Sequence, residues 1–456
     1  MSEWKKVKIG DFLKRKRIPI QLESDKEYKL ITIKLYHKGV YLRGNKKGSE
    51  IHSNMYKVSK GDFILSGIDA RNGAFGIVPD SLDGAIVTND FWYFDIDELI
   101  IKKEFFLWLT STPVFLDACQ KSSMGETQRI RLQKDAFFNY QINCPSIEYQ
   151  DDFLAKINPI IEKIKIIQSE TEKQTEYAKL LRQNILQEAI EGKLTTDWRK
   201  QNPVQKGNPD YDAEALFEQI QDEKKYLLAT KELKKGNLPK AIRSNKDLLK
   251  YPDSWKWARI DDLFFVTKLA GFEFTQYFHL TESGDIPVVR AQNVRDLTLN
   301  KSNLLYIDSK TSELLERSAL TKTSLLVTFI GAGIGDVGIF EEKERWHLAP
   351  NVAKLEPLKN CEKLISIKLV ALFMLSSFGQ KEIFKYMKAT AQPSLSMESI
   401  RDICFPLPPL AEQNEIVTRV ENHLQTVSDL ENQITKHEQL IKQLMQSILK
   451  EAFKEN

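Results

Sequence analysis

The apolar positions of this chain fall into two patterns, and each pattern occurs twice. Over residues 409–455, Ile416, Val420, His423, Val427, Leu430, Ile434, His437, Ile441, Leu444 and Ile448 follow alternating steps of four and three. That is the a/d seam of a heptad repeat, and it predicts one long helix. Residues 146–192 repeat the seam without a gap at a shift of 263, as Phe153, Ile157, Ile160, Ile164, Ile167, Thr171, Gln174, Ala178, Leu181 and Ile185. At about 1.5 Å per residue each helix spans roughly 60 to 70 Å, with a kink expected at Pro159. A helix with one apolar stripe must cover it. Two matched seams in one chain can cover each other, a homodimeric coiled coil being the alternative.

The second pattern precedes each long helix. Residues 1–145 open with SEWKKVKIGDFLK and continue in short strand-like runs, YKLITIKLY, GDFILSGI, GAFGIVP and AIVTNDFWYFDI, separated by Gly, Asn and Asp. An apolar helical stretch, ELIIKKEFFLWLTSTPVFLDACQ, and a polar link, KSSMGETQRIRL, lead into the long helix. The same order recurs over 253–404, with Trp4 matching Trp255, Ile9 matching Ile260, Asp11 matching Asp262, Asn89 matching Asn351 and Leu132 matching Leu395. Framework positions recur while loops differ, as in two copies of one scaffold with separately chosen binding surfaces. The fold class is α+β, two similar mixed α/β domains (1–145 and 253–404) and two long helices (146–192 and 405–456). An insert at 193–252 has no counterpart after the second helix. It carries a helical piece near 213–228 and a Lys-rich second half that reads as solvent-exposed or partner-contacting, with a plain solvated linker as the alternative.

Composition narrows the class. With 42% hydrophobic and 28% charged residues, the chain is neither disordered nor fibrous. Sixty-six basic against 63 acidic residues leave a net charge of only +3, so any nucleic-acid binding must rest on local patches or on partners. Cys119, Cys144, Cys361 and Cys404 form no CxxC pair, which fits a reducing cytoplasm. The apolar stretch at 364–378 is interrupted by Lys368 and suits a buried helix better than a membrane span. The expected location is the cytoplasm.

Two strings invite an enzymatic reading. Phe329-Ile330-Gly331-Ala332-Gly333 has the FxGxG form of AdoMet-dependent methyltransferases, and Gly333 to Gly338 satisfies GxGxxG. A dinucleotide loop, however, opens a helix inside a βαβ unit. Here the glycines run into GIFEEKERWHL, a strand and a turn, so the string reads as a glycine-rich turn between strands. There is no [DN]PP[FYW], GxxxxGK[ST] or GxSxG, and the histidines show no metal-ligand spacing. No catalytic residue, metal or cofactor is expected on this chain.

The loops suit DNA better. Arg71 and Asn72 in the first domain, with Arg290, Gln292 and Asn293 in the second, are residue types that pair with guanine (Arg) and adenine (Asn, Gln) in the major groove. Lys121, Gln128 and Arg129, with Lys388 and Gln392 at the matching place, could hold phosphates or bases near the domain-to-helix link.

The combination resembles the specificity subunits of type I restriction-modification systems. FPLPPLAEQ at 405–413 resembles the start of that family's distal conserved helix, and LRQNIL at 181–186 through EGKL at 191–194 resembles its central conserved region. The first helix departs from this, opening on Cys144-Pro145-Ser146 without the double proline. The resemblance implies a non-catalytic DNA reader whose two target-recognition domains each read half of a split, asymmetric site. It implies that the helices form an antiparallel coiled coil; the heptad spacing puts Ile157, Ile164, Leu181, Ile185, Val420, Val427, Leu444 and Ile448 on its seam. It also implies two modification subunits that methylate adenine and restriction (translocase and nuclease) subunits as partners, with AdoMet, ATP and Mg held by those partners. A self-sufficient methyltransferase and a coiled-coil scaffold with no DNA role remain the alternatives.

Overall fold

A computed structural model describes residues 4–125, 130–233, 250–331, 333–385 and 394–452. The chain divides into two compact units, 1–172 with 435–456, and 173–434. Each unit holds one mixed α/β domain and parts of both long helices, Ile147–Ile190 and Leu410–Ala452.

The two domains are built to one plan. In the first unit Lys5–Lys8 pairs antiparallel with Gln141–Cys144, so the domain's first and last strands close on each other. In the second, Lys256–Arg259 pairs with Cys404–Leu407 in the same way. Each pair is followed by a one-turn helix, Ile9–Phe12 or Ile260–Leu263, whose third residue, Asp11 or Asp262, accepts from the backbone N–H of Lys8 or Arg259. A four-stranded sheet of equal strand order comes next. It runs Leu13–Lys16, Phe91–Ile96, Phe63–Ser66, Phe75–Ile77 in the first unit, and Phe264–Lys268, Val352–Pro357, Ser324–Thr328, Val337–Phe340 in the second. A second, mixed sheet follows in both, with one parallel pairing each, Leu30 to Ile86 and Val288 to His347.

The apolar stretch read as one helix is two. In the first unit the helices are Lys103–Thr110 and Pro113–Lys121, broken where Pro113 takes the first helical position. In the second they are Ile367–Leu375 and Ser377–Phe384. There Ser376 Oγ accepts from Gly379 N at 3.0 Å, and a Cβ on Gly379 would lie 1.9 Å from the Phe373 carbonyl oxygen.

The start of each long helix is locked by a glutamine. Gln150 is fully buried; its Oε1 accepts from Lys102 N (2.7 Å) and its Nε2 donates to the carbonyls of Ile100 (3.1 Å) and Pro145 (2.9 Å). At the matching place buried Gln413 accepts from Ser366 N (2.8 Å) and donates to the carbonyls of Leu364 (3.5 Å) and Pro408 (3.1 Å).

The helices pair within each unit. In the first, Ile157, Ile161 and Ile164, from the early part of the first helix, share a core with Ile441, with Met445 and Ile448 packed against it. In the second, Ala178, Ile185 and Ala189, from the late part, share a core with Ile416, Val420 and Val427. Early meets late in one unit and late meets early in the other, which is the antiparallel sense. The helix continues through Pro159.

The seam is half displaced from the heptad reading. Leu181 and Leu444 are 42% and 48% exposed, as are Ile160 at 40%, Ile167 at 48% and Leu430 at 43%; His423 and His437 are exposed too. The covered positions of that line lie one residue later, at Ile161, Thr175, Arg182, Ala189, Leu424, Glu431 and Met445, all buried or half-buried. Several of these are polar, and they bond across the seam, as Arg182 Nη2 does to Glu431 Oε2 (3.0 Å) and Ser428 Oγ (3.4 Å).

The first half of the insert belongs to the second unit's core. Gly192, at φ 70°, ends the first long helix, and a Cβ there would meet Pro252 Cγ at 2.5 Å. Thr195 Oγ1, Arg199 Nη1 and Trp255 Nε1 then converge on the buried carboxylate of Glu412 at 2.7, 2.5 and 2.8 Å. The helix Ala213–Ala229 buries Leu216, Ile220 and Leu227. Most of the Lys-rich second half lies outside the described residues.

Candidate nucleic-acid interface

In the first unit the strands Phe63–Ser66 and Phe75–Ile77 are joined through a 3-10 turn, Ala70–Asn72, which Gly73 closes at φ 75°. The tip of a long hairpin, Glu27–Lys34 with Gly39–Lys47, is fastened to this turn. Tyr36 N donates to the Asn72 carbonyl (2.9 Å) and His37 N to that of Gly73 (3.0 Å). The approach is close enough that a Cβ on Gly73 would lie 2.6 Å from the His37 ring. Tyr36 and His37 both sit at positive φ, 60° and 59°, a conformation that side-chain-bearing residues hold only when their surroundings impose it. His37 packs edge-on against Phe75, ring centroids 4.7 Å apart, and burial pushes its pKa down, so at neutral pH it is an uncharged packing group. Tyr36 is 73% exposed.

Arg71 and Asn72 are half-buried on this turn, and Arg71 has no carboxylate partner among the described residues. Gln120 Nε2 donates to the Arg71 carbonyl at 3.3 Å, which places the end of the helix Pro113–Lys121, and hence Lys121, beside the turn. The exposed Lys121 ammonium pairs with Asp117 at 2.7 Å; the pairing raises its pKa and, with the Tyr140 hydroxyl, lowers that of Asp117. Arg71, Asn72 and Lys121 are thus brought together. Gln128 and Arg129 lie outside the described residues, as do Lys388 and Gln392.

The second unit places equivalent loops together but fills them differently. The glycine string joins Ser324–Thr328 to Val337–Phe340, an antiparallel pair, with Gly331 and Gly335 at positive φ. Among the described residues it opens no helix, so it is the turn between strands that the sequence indicates. The loop after Ile286–Val289 meets it as the hairpin tip meets the Ala70–Gly73 turn in the first unit: Arg295 Nη1 is ion-paired with Asp336, and Leu297 N donates to the Val337 carbonyl at 3.0 Å.

Of the three residues expected to read bases here, only Gln292 is exposed. Asn293 corrects the expectation. It is 1% exposed, its Oδ1 accepts from Arg290 N (3.0 Å), and its Nδ2 donates to the carbonyls of Asn300 (2.8 Å) and Ser302 (3.3 Å). Its amide is spent on holding the loop. Arg290 is half-buried and donates to the Asn303 carbonyl. Arg295 stands in no motif, and only its pairing with Asp336, 41 positions away, marks it.

Compared with known proteins, the chain matches the Type I restriction modification DNA specificity domain twice, over residues 1–177 and 252–438. The chain belongs to this family. It is 29% identical over 169 residues to the specificity subunit of type I restriction enzyme EcoBI of Escherichia coli, covering 37% of this chain and 35% of that protein. It is 23% identical over 365 residues to the EcoDI specificity subunit, also of Escherichia coli, covering 79% of this chain and 71% of the relative. A chain from a solved type I R-M system shares the fold at 15% identity with a TM-score of 0.64, over 99% of this chain and 97% of its own length. The family match and the two structural copies agree on a duplicated specificity domain. Among the described residues no three His, Cys, Asp or Glu side chains gather to hold a metal, and no helix is long and apolar enough to cross a membrane.

Proposed function

We propose that this chain is the DNA-reading specificity subunit of a type I restriction-modification complex, working in the cytoplasm. Each domain reads one half of a split, asymmetric site and so directs adenine methylation or cleavage by partner subunits. The observation that carries this is the contrast between frame and loops. The strand pairings and the Gln150 and Gln413 locks recur, while equivalent turns carry Arg71-Asn72 in one unit and a glycine string in the other. One scaffold with two reading surfaces suits a bipartite target.

The chain itself performs no chemistry in this reading and holds no cofactor; AdoMet, ATP and Mg belong to its partners. Two modification subunits dock on the long helices. The apolar side chains left uncovered there suit that role, Ile166, Ile167 and Leu444 in the first unit and Tyr177, Leu180 and Leu181 in the second. Mapping N6-methyladenine genome-wide, in cells with the modification subunit and with or without this chain, tests the proposal. A split motif that disappears on deletion is expected. An unchanged map with active modification subunit refutes it and favours the scaffold reading.

A further inference from the structure

The long hairpin of the first unit has a property that its contacts with the Asn72 and Gly73 carbonyls do not explain. From Lys29 to Lys47 it carries six basic residues, Lys29, Lys34, Lys38, Arg43, Lys46 and Lys47, and no acidic one. Its second strand, Gly39–Lys47, is the outer strand of the five-stranded sheet, and six of its nine residues are exposed. The register shifts between Leu30 and Ile31, opposite Gly44 and Leu42, which leaves Arg43 as the extra residue of a bulge. A bulge turns its side chain away from the pleat's alternation and bends the strand. Lys34 lies 4.3 Å above the Tyr41 ring, while the side chains of Lys38, Arg43, Lys46 and Lys47 form no ion pair among the described residues, although Lys47 stands opposite Glu27 and its N–H donates to Glu50 Oε2 at 3.2 Å. Exposed Tyr36 and Tyr41 stand among these cations.

The second unit is built the other way. Its equivalent outer strand, Leu305–Ile307, has three residues. The cations of the loop before it are engaged within the fold: Arg290 by the Asn303 carbonyl, Arg295 by Asp336 and Lys301 by Glu342. A chain with a net charge of +3 has therefore concentrated unpaired positive charge on one edge of one domain. Unpaired like charges along an edge strand cost stability; besides discouraging edge-to-edge pairing, they create a local field that attracts anions.

We propose that this edge, with Lys38, Arg43, Lys46 and Lys47 as its contacts, grips the phosphates of duplex DNA, and that the salt-dependent share of DNA affinity resides in the first unit. The inference rests on the reading of the chain as a DNA-binding subunit. It goes further by separating grip from base reading and by making the two domains unequal. Phosphate contacts fix position without carrying sequence, and each displaces a condensed counterion.

The test is a salt titration of DNA binding by the full chain with its modification subunits, on a cognate duplex and on a scrambled one. The variant is Lys38→Gln with Arg43→Gln, Lys46→Gln and Lys47→Gln. At about 0.9 per phosphate, losing four contacts lowers the log–log salt slope by roughly 3 to 4. Binding weakens about tenfold or more at low salt, equally on both duplexes, and a second variant with Lys38→Arg, Lys46→Arg and Lys47→Arg keeps the wild-type slope. A wild-type slope in the Gln variant overturns the proposal while leaving the DNA-reading function intact. A loss confined to the cognate duplex also overturns it, because the edge then reads bases. If the wild-type complex binds neither duplex, the functional reading falls and takes this inference with it.

Discussion

Gln150 and Gln413 are single residues on which whole helices depend. Each fills a buried site with one accepted and two donated bonds to backbone, joined at Gln150 by a 3.6 Å bond from Nε2 to Cys144 Sγ, so each ties the start of a long helix to the loop before its domain's apolar helices. Gln413→Ala leaves the Ser366 N–H and two carbonyls without partners, and the cost is about 1 to 3 kcal/mol of stability, read as a lower urea midpoint with an unchanged slope. Gly73→Ala is expected to act on binding as well, since φ 75° and the His37 ring at 2.6 Å forbid the added carbon without moving the hairpin tip. Asp197, paired with Arg419, has its pKa lowered to about 2. Its folded value lies below the unfolded one, so its contribution is full above about pH 4 and is lost as pH falls toward 2. In Asp197→Asn the difference from wild type should therefore shrink across that window, and at any pH it should be small, because the carboxylate is exposed.

What the sequence allows at this scale is uneven. FPLPPLAEQ and EGKL stand out as strings, and the structure gives their physical content: Glu412 and Gln413 are buried acceptors and donors, and Gly192 turns the chain where a Cβ would strike Pro252. Asn293 shows the opposite case. Its residue type fits adenine, but an Asn beside a tight turn can equally bond its own backbone, and nothing in the linear chain decides which.

At the scale of elements, the heptad spacing announces two helices and one line of their seam. The line through Ile157, Ile164, Ile185, Val420 and Val427 is buried, with Ile448 half-buried. The second line escapes a reading guided by apolarity alone. The chain puts Thr175, Arg182 and Glu431 on that line and leaves Leu181 and Leu444 outside it. Cross-seam hydrogen bonds can hold a polar line in register, and they are invisible to a count of apolar residues. Ile185→Ala should therefore cost about 2 to 4 kcal/mol in chemical unfolding, whereas Leu181→Ala stays within about 0.5 kcal/mol. Leu181→Glu and Leu444→Glu should leave the unfolding midpoint of the chain unchanged yet reduce its co-elution with modification subunits. A stable complex of normal composition from the double variant would remove the uncovered leucines from the docking surface.

At the scale of the whole molecule, duplication makes recognition modular. Both domains close on themselves through their first and last strands, and each long helix begins at a lock whose partners lie in its own unit, backbone groups at Gln413 and backbone groups with the strand residue Cys144 at Gln150. A domain can then change its loops without disturbing the helix it feeds, because no loop side chain takes part in the lock. The consequence can be tested by exchange. Replacing residues 1–145 with the matching domain of a relative that reads a different sequence should change one half of the methylated motif and preserve the other, with the chain still assembling with its partners. The readout is the N6-methyladenine map of cells that carry the hybrid. Retention of one half with a new second half supports independent reading by each domain. Loss of both halves from a hybrid that still assembles would mean that the two domains read DNA as one surface, and the modular account would then be wrong.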